Sequence, residues 1–336
     1  MQRRLKRRRR QKLQRRFILI VPVLLVVLLV LPIGLMQRKA GEASPVATVA
    51  VVQTTEPTVA PAATQIPEPA ASPEVRQAMA PAQEPGEWAT PCVSEYDYQY
   101  VDDMRSINID RVEQDGVVWY AVEVQIRSAD QFQTLLSGNG YGGKDDLLSS
   151  MASSCGAVLA INGDYYGAHD YGVIIRNGVL YRTEKTTRNM LIVDQNGDFT
   201  VRAERSDEDP KQLGEQLVSE GVRQTFEFGP ELIRNGEPVE FNPDFDVIST
   251  RSNRLEPRTA IGQIGPLHYV IIVADGRQDA SRGLSLQELQ QLFVYYGAQT
   301  AMNLDGGGSS GLWFQGQLIN SPSGGEEREI SDIIWF

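Results

Sequence analysis

Four short segments hold the residue types that can act on a charged substrate, and each one opens or closes an apolar run. In VLAINGDYYG (158–167) the run ends at Asn162-Gly163-Asp164. Glycine there lets the backbone turn sharply and present an amide and a carboxylate. Arg258 opens the stretch RTAIG, and Asp275-Gly276-Arg277 follows YVIIVA. The fourth segment is Asn303-Leu304-Asp305-Gly306-Gly307-Gly308-Ser309-Ser310. Three consecutive glycines cost conformational entropy and pack no side chain. Their use is close approach of backbone to a ligand, with exposed N–H groups of Gly306 to Gly308 forming an anion-binding nest. No Gly-Lys-Ser/Thr follows, so this is not a Walker loop, and a dinucleotide fingerprint lacks its spacing. Taken singly, Asn-Gly-Asp and Asp-Gly-Arg are ordinary turns. It is their joint placement at strand ends that points to a site.

Other chemistry is sparse. The two histidines, His169 and His268, stand apart; His169 follows Asp164 by five residues, and His268 precedes a core strand. No His/Cys cluster has zinc-ligand spacing, so no cofactor is expected, although Asp and carbonyl oxygens leave a calcium ion open. Cys92 and Cys155 are the only cysteines. In an oxidising compartment such a pair can persist as a disulfide, with two buried thiols as the alternative.

The elements that must position these residues are mostly strands. Ile107–Val112 pairs naturally with Val117–Ile126 across Asp115-Gly116, and Asn177-Gly178, Asn196-Gly197 and Asn235-Gly236 each lie between apolar or alternating runs. Asn-Gly accepts the positive φ that two-residue hairpin turns require. Strands are also expected at Tyr269–Ala274 and Ala301–Leu304. Helices are expected over Lys144–Cys155, Asp209–Ser219 and Ser285–Tyr296, the last with Ser285 as N-cap, Glu288 three residues on and Gly297 past its end. The expected class is α+β, with mixed, largely antiparallel sheets and a few helices.

Upstream of this domain the composition changes three times. The net charge is −11, yet residues 1–16 carry ten Lys or Arg and no acid, so the remainder is strongly acidic. Residues 17–36 (FILIVPVLLVVLLVLPIGLM) are uncharged and, at about 1.5 Å per helical residue, long enough to cross a bilayer. A basic run directly before an apolar span reads as a positive-inside signal rather than a nucleic-acid site, and it places the N-terminus in the cytoplasm. A cleaved signal peptide would have a shorter apolar stretch and a small-residue cleavage site; Gln37-Arg38-Lys39-Ala40 is a poor one. Residues 37–90 form a Pro/Ala/Thr-rich linker, with eight of the 18 prolines between Gly41 and Glu87. Such a segment has too little bulky apolar surface to offset ordering entropy. Residues 91–336 are the folded domain.

The ordered set INGDYYG, GVIIRNG, FGPELIRNG, EPRTAIGQ, VADGR, NLDGGGSS and EREISDIIWF resembles the phosphodiester glycosidase family from about Arg105 to Phe336. With its membrane anchor and short domain, the chain is similar to bacterial members associated with cell-envelope or exopolysaccharide genes. The resemblance implies a hydrolase that breaks the C1–O bond of a sugar-1-phosphodiester, with a glycan or sugar phosphate as partner. Phosphate is a good leaving group, so such chemistry needs charge stabilisation and a carboxylate more than a strong general acid. Arg258 and Arg176 are candidate phosphate clamps, since a guanidinium fork suits phosphate oxygens. Asp164, Asp275 and Asp305 are the candidate carboxylates. Asn162, Gly163, Asn303, Gly306 to Gly308, Ser309 and Ser310 complete the expected substrate contacts. Gly311-Leu312 departs from the Thr-Met or Ser-Met common in the family, beside the site. A phosphodiesterase breaking P–O at the same site and a non-catalytic glycan-binding module are the alternatives.

Overall fold

Asp115 and Gly116 take left-handed angles (φ 52° and 72°) and turn the chain between two ten-residue strands, numbered here in chain order as β2 (Arg105–Gln114) and β3 (Val117–Ile126). The computed structural model describes residues 88–89, 96–138, 140–203, 207–241 and 252–336. Asn177-Gly178 and Asn235-Gly236 likewise have positive φ at both positions. They join β6 (Gly172–Arg176) to β7 (Val179–Glu184), and β11 (Glu231–Arg234) to β12 (Glu237–Pro238). Asn196-Gly197 lies in the longer loop between β8 (Asn189–Val193) and β9 (Phe199–Arg202), and only its glycine has positive φ.

The largest sheet is eight-stranded, in the order β1 (Tyr98–Val101), β2, β3, β14 (His268–Ala274), β13 (Arg258–Gly265), β15 (Thr300–Asn303), β11, β12. A five-stranded sheet runs β17 (Gln317–Leu318), β16 (Leu312–Phe314), β5 (Leu159–Asn162), β18 (Asp332–Trp335), β4 (Gln133–Leu136). β10 (Gln224–Phe228), β8 and β9 form a third sheet, and β6–β7 a fourth. Strand β3 is buried on both faces, which is why it reads as a nearly unbroken apolar run. Its Val118, Tyr120, Val122 and Val124 join the core shared with the other sheets; Val117, Trp119 and Ala121 face the opposite way. On that far side the partners include Leu286, Leu289 and Phe293 of a helix.

Three α-helices lie among the described residues: α1 (Leu148–Cys155), α2 (Pro210–Ser219) and α3 (Leu286–Tyr295). Asp209 caps α2, and Ser285 with Glu288 closes a reciprocal capping box on α3. Helix α1 starts four residues later than the sequence predicts. Asp146 is held by two backbone bonds to Ile330, at 3.1 and 2.8 Å, and its extended pairing keeps 144–147 out of the helix.

Every strand pair among the described residues is antiparallel, which replaces the expected mixture. The crossover through α3, where a parallel pair could have formed, makes none. That helix carries the chain from β14 to β15, which run in the same direction but are separated by β13, antiparallel to both. The crossover therefore creates no parallel pair. It also brings the C-terminal ends of β14 and β15 and the first residue of β13 to one end of the sheet, so Asp275, Asp305 and Arg258 start as neighbours.

The tail 1–16, the apolar span 17–36 and Cys92 lie outside the described residues, as does almost all of the linker. Trp88 and Ala89 are the exceptions and already contact the domain. The Arg127 guanidinium lies 3.7 Å from the Trp88 ring centroid, and Ala89 exchanges two hydrogen bonds with the Gln125 side chain. Among the described residues Cys155 has no disulfide partner, and its thiol contacts the Ala152 carbonyl at 3.5 Å. Among the described residues no helix is long and apolar enough to cross a membrane.

Candidate active site

The strand ends converge through backbone bonds. Leu304 N donates to Thr259 O at 2.9 Å, and Gly307 N to Pro257 O at 3.0 Å. A Cβ on Gly276 would lie 2.8 Å from Pro257 N, so the Asp275–Arg277 loop is pressed against the same segment. Asn162 ties in the second sheet from the end of β5. Its Nδ2 donates to Asp305 O at 2.8 Å, while its Oδ1 accepts from the Thr259 hydroxyl at 2.8 Å and from Gly311 N at 3.3 Å. INGD, RTAIG, VADGR and NLDGGGSS thus meet at one place, and Asn162 is the buried brace between them.

Beneath this junction lies a buried charge cluster. Arg176 is only 2% exposed, and Asp164 and Asp332 are 0% and 1% exposed. Arg176 Nη2 donates to Asp164 Oδ1 and Nε to Asp332 Oδ2, both at 2.8 Å, while Nη1 serves the carbonyls of Ile175 and Thr225. Asp164 Oδ2 accepts from Glu227 N at 2.7 Å. Gly163 makes this packing possible, since a Cβ there would come within 2.5 Å of the Asp332 carboxyl carbon. Burial pushes the Asp332 carboxyl up to about 7, against the pull of Arg176, and the nearby Asp164 charge adds to the rise.

The glycine loop sits above this cluster and is not an open nest. Gly306 N donates to the Asp305 side chain at 2.8 Å and Gly307 N to Pro257 O. Ser309 N and Ser310 N close a 3₁₀ turn onto Gly306 and Gly307. Only Gly308 N lacks a hydrogen-bond partner among the described residues. This corrects the expectation of three free N–H groups: the loop's own carboxylate and the Pro257 carbonyl take two of them. The glycines instead allow close approach. A Cβ on Gly306 would lie 2.7 Å from Pro257 O, and one on Gly308 2.6 Å from the Arg328 guanidinium carbon. At Gly307, φ is +65° and a Cβ would meet Arg277 Nη1 at 3.3 Å. Two exposed guanidinium groups therefore flank the bare faces of the loop.

Asp305 is half-buried within that loop, and its side chain also bonds Ser309. Burial raises its pKa; the Ser309 and Gly306 hydrogen bonds and Arg328 oppose the rise, and the charge on Asp164 reinforces it. The Asn303 Oδ1 and Ser310 Oγ atoms are buried here without a hydrogen-bond partner among the described residues.

Over residues 155–336, more than half of its length, the chain matches the family model described as phosphodiester glycosidase. The chain belongs to the phosphodiester glycosidase family. It is 32% identical over 193 residues to an uncharacterized SPbeta prophage-derived protein, YomE, of Bacillus subtilis, covering 55% of this chain and 28% of that protein. It is 27% identical over 223 residues to N-acetylglucosamine-1-phosphodiester alpha-N-acetylglucosaminidase of Mus musculus, covering 62% of this chain and 42% of the relative. The chain thus spans less than half the length of either curated relative. The catalytic domain of the zebrafish N-acetylglucosamine-1-phosphodiester alpha-N-acetylglucosaminidase, auto-inhibited by its pro-peptide, superposes with a TM-score of 0.54 at 20% identity, covering 74% of this chain and 86% of that one. A hypothetical protein from Synechocystis gives 0.52 at 16% identity, over 69% and 62%. These two likenesses establish the shared fold.

In this phosphodiester glycosidase domain the residues expected from sequence separate into two groups. Asp305, Asn303, Gly306 to Gly308, Ser309 and Ser310 form the loop itself. Arg176 and Asp164 lie in the interior, with their hydrogen-bonding groups engaged by protein, so Arg176 is not placed to clamp a phosphate. Asp275 is 5% exposed, and its Oδ1 accepts from Asn320 Nδ2 at 3.1 Å and Ser321 N at 3.0 Å, which fixes the 319–321 segment. Arg258 is 7% exposed; its Nε and Nη2 donate to the carbonyls of Leu284 and Arg254. Burial lowers its pKa to about 10, with no carboxylate in ion-pair contact among the described residues. Arg328 was missed as a candidate, and Arg277 was noted only within its Asp-Gly-Arg segment, without a role. Each lies inside a family motif, EREISDIIWF and VADGR, and a cation within a glycine- and acid-rich run is the signal that marks Arg328. Asp332 was missed because nothing in SDIIW foretells that its side chain turns inward toward Arg176. Among the described residues no group of three or more His, Cys, Asp or Glu is arranged to hold a metal ion.

Proposed function

We propose that the domain hydrolyses a sugar-1-phosphodiester by breaking the C1–O bond. The observation that carries this is the placement of Asp305 in a glycine loop whose bare faces are flanked by Arg277 and Arg328. The phosphate lies over Gly308 N between the two guanidinium groups; Arg328 offers a forked pair of donors, and Arg277, whose Nε donates to Glu256 Oε2 at 2.6 Å, offers its Nη groups. Arg258, buried nearby without a paired carboxylate, adds positive potential. Water attacks C1, the C1–O electron pair passes to the phosphate oxygen, and the water proton goes to Asp305. The products are the free sugar and a phosphate monoester. Asp305 also supports the positive charge that develops at C1. N-acetylglucosamine, the sugar in the mouse relative's name, is the first to test.

The site works outside the cytoplasm on this reading, on envelope or exopolysaccharide glycans. Support comes from the ten cations before the uncharged span 17–36. Protease added to intact cells should then release the domain, and full protection would refute the orientation.

The chemistry is tested with the full chain in detergent, on methyl diesters of several hexose-1-phosphates, including N-acetylglucosamine-1-phosphate, in heavy-oxygen water. Label in the sugar is the expected result. Label in the phosphate means P–O cleavage, and no turnover of any diester removes the activity altogether.

A further inference from the structure

Five of the seven non-glycine residues with positive φ among the described residues lie in hairpin turns: Asp115, Asn177, Asn235, Leu267 and Gln315. The other two, Tyr165 (φ 60°) and Arg277 (φ 59°), follow strand ends and flank the site. A bulky aromatic residue in the left-handed region is strained, and such strain persists where surrounding contacts fix it for a purpose.

The contacts around Tyr165 are extensive. Its ring meets Phe228 edge-on at 5.0 Å and His169 edge-on at 4.7 Å, and His169 stacks flat on Tyr171 at 3.7 Å. The two phenols are 2.8 Å apart, with Arg188 Nη2 3.5 Å from the Tyr165 oxygen. Arg182 fixes the loop from below, binding the carbonyls of Tyr166 and His169 and His169 Nδ1 at 3.2 Å. This wall is tied to the carboxylate loop. Gly229, next to Phe228, exchanges bonds with Asn303: Gly229 N donates to Asn303 O at 3.1 Å, and Asn303 Nδ2 to Gly229 O at 2.8 Å. Asp305 lies two residues further on, and its charge helps hold the Tyr165 phenol above its ordinary pKa, after burial and the Tyr171 bond.

We propose that Tyr165, Tyr171 and Arg188 form the subsite for the sugar ring that is released, next to Asp305. The inference rests on the phosphodiester reading above and adds the part of the substrate that reading leaves unplaced. A neutral hexopyranose presents a C–H face that packs on aromatic rings, and hydroxyls that exchange hydrogen bonds with a phenol pair and a guanidinium. Burial lowers the His169 pKa to about 4, so the imidazole is neutral at pH 7 and does not add charge to the wall. With the sugar on Tyr165 and the phosphate at Arg328, C1 falls beside Asp305.

The test uses inhibition by the two products separately. With the full chain and its best methyl diester substrate, inhibition constants are measured for the free sugar and for methyl phosphate. Tyr165→Phe and Tyr171→Phe keep the rings and remove one hydroxyl each. Each should weaken inhibition by the sugar about three- to tenfold, the scale of a lost hydrogen bond, and leave methyl phosphate inhibition unchanged. Arg328→Ala should do the reverse. Melting curves matching the wild type establish that the variants are folded. If the tyrosine variants weaken methyl phosphate inhibition instead, or alter neither constant, the sugar subsite is wrong while the phosphodiester reading stands. A wild-type chain inactive on every diester overturns both.

Discussion

Arg176 lies in the interior between Asp164 and Asp332, whereas Arg328 lies exposed against Gly308, with no hydrogen bond or ion pair among the described residues. Both are arginines beside aspartates within one small region. The buried guanidinium is held between two carboxyl groups, and its donors are spent on them and on carbonyls. The exposed one reaches Asp305 only through the longer-range field that lowers that carboxyl's pKa. Taking charges out of water costs several kcal/mol per ion unless close partners offset it, so a fully paired cluster is an anchor and has little capacity left for a ligand. A guanidinium held over a bare glycine loop retains that capacity. The buried cluster therefore positions and the loop reacts.

The sharpest way to break this contrast is to exchange the expected phenotypes. Arg176→Ala leaves Asp164 and Asp332 buried without their cationic partner and should destabilise the domain by about 3–5 kcal/mol, read from denaturant unfolding. A well-folded but inactive Arg176→Ala protein would move that residue from the anchor to the reactive region.

Asp305→Asn comes next. It keeps size and hydrogen bonding but removes the charge, and turnover should fall on the order of a hundredfold or more with a nearly unchanged melting curve. Because burial raises the Asp305 pKa, the acid limb of the wild-type kcat/KM profile should lie above the usual carboxylate range. Normal turnover by folded Asp305→Asn would remove it from the mechanism.

Arg328→Ala should raise KM for a diester by roughly ten- to a hundredfold, the scale of a lost hydrogen bond to a charged group, without altering stability. Arg328→Lys keeps the charge but not the fork and should recover only part of the loss. Equal melting losses in the Arg176 and Arg328 variants would erase the distinction between the two regions.

The smallest net effect concerns pH, because two groups oppose each other. Asp332 titrates in the native state at about 7, above its ordinary value of 3.8, so the folded protein retains a proton that the unfolded chain releases. Stability should therefore decline as pH rises through that window, by at most about 1.4 kcal/mol per unit from this group. His169 acts in the opposite sense. Its folded value of about 4 lies below 6.5, so its contribution is present above 6.5 and lost as pH falls. Unfolding of Asp332→Asn between pH 4 and 8 should show the His169 trend without the Asp332 one. The same pH dependence in wild type and Asp332→Asn would mean that Asp332 stays ionised.

Hairpins, the α3 cap and the glycine loop were legible in the sequence because they depend on neighbours in the chain. Asn-Gly and Asp-Gly supply the φ that a turn demands, Ser285 and Glu288 are three residues apart, and a twofold alternation marks which side of a strand is buried. The family was legible for the same reason, since its motifs are short and local. What only the tertiary structure decided is which charges neutralise one another. Asp164, Arg176 and Asp332 are spread over 169 positions, and nothing local distinguishes them from Asp305 and Arg328. The path of α3, which leaves β13 between β14 and β15 and so prevents a parallel pair, is equally a property of the packed sheet. A side chain's role follows from its burial and its partners across the fold, and those are settled by packing between segments distant in the chain.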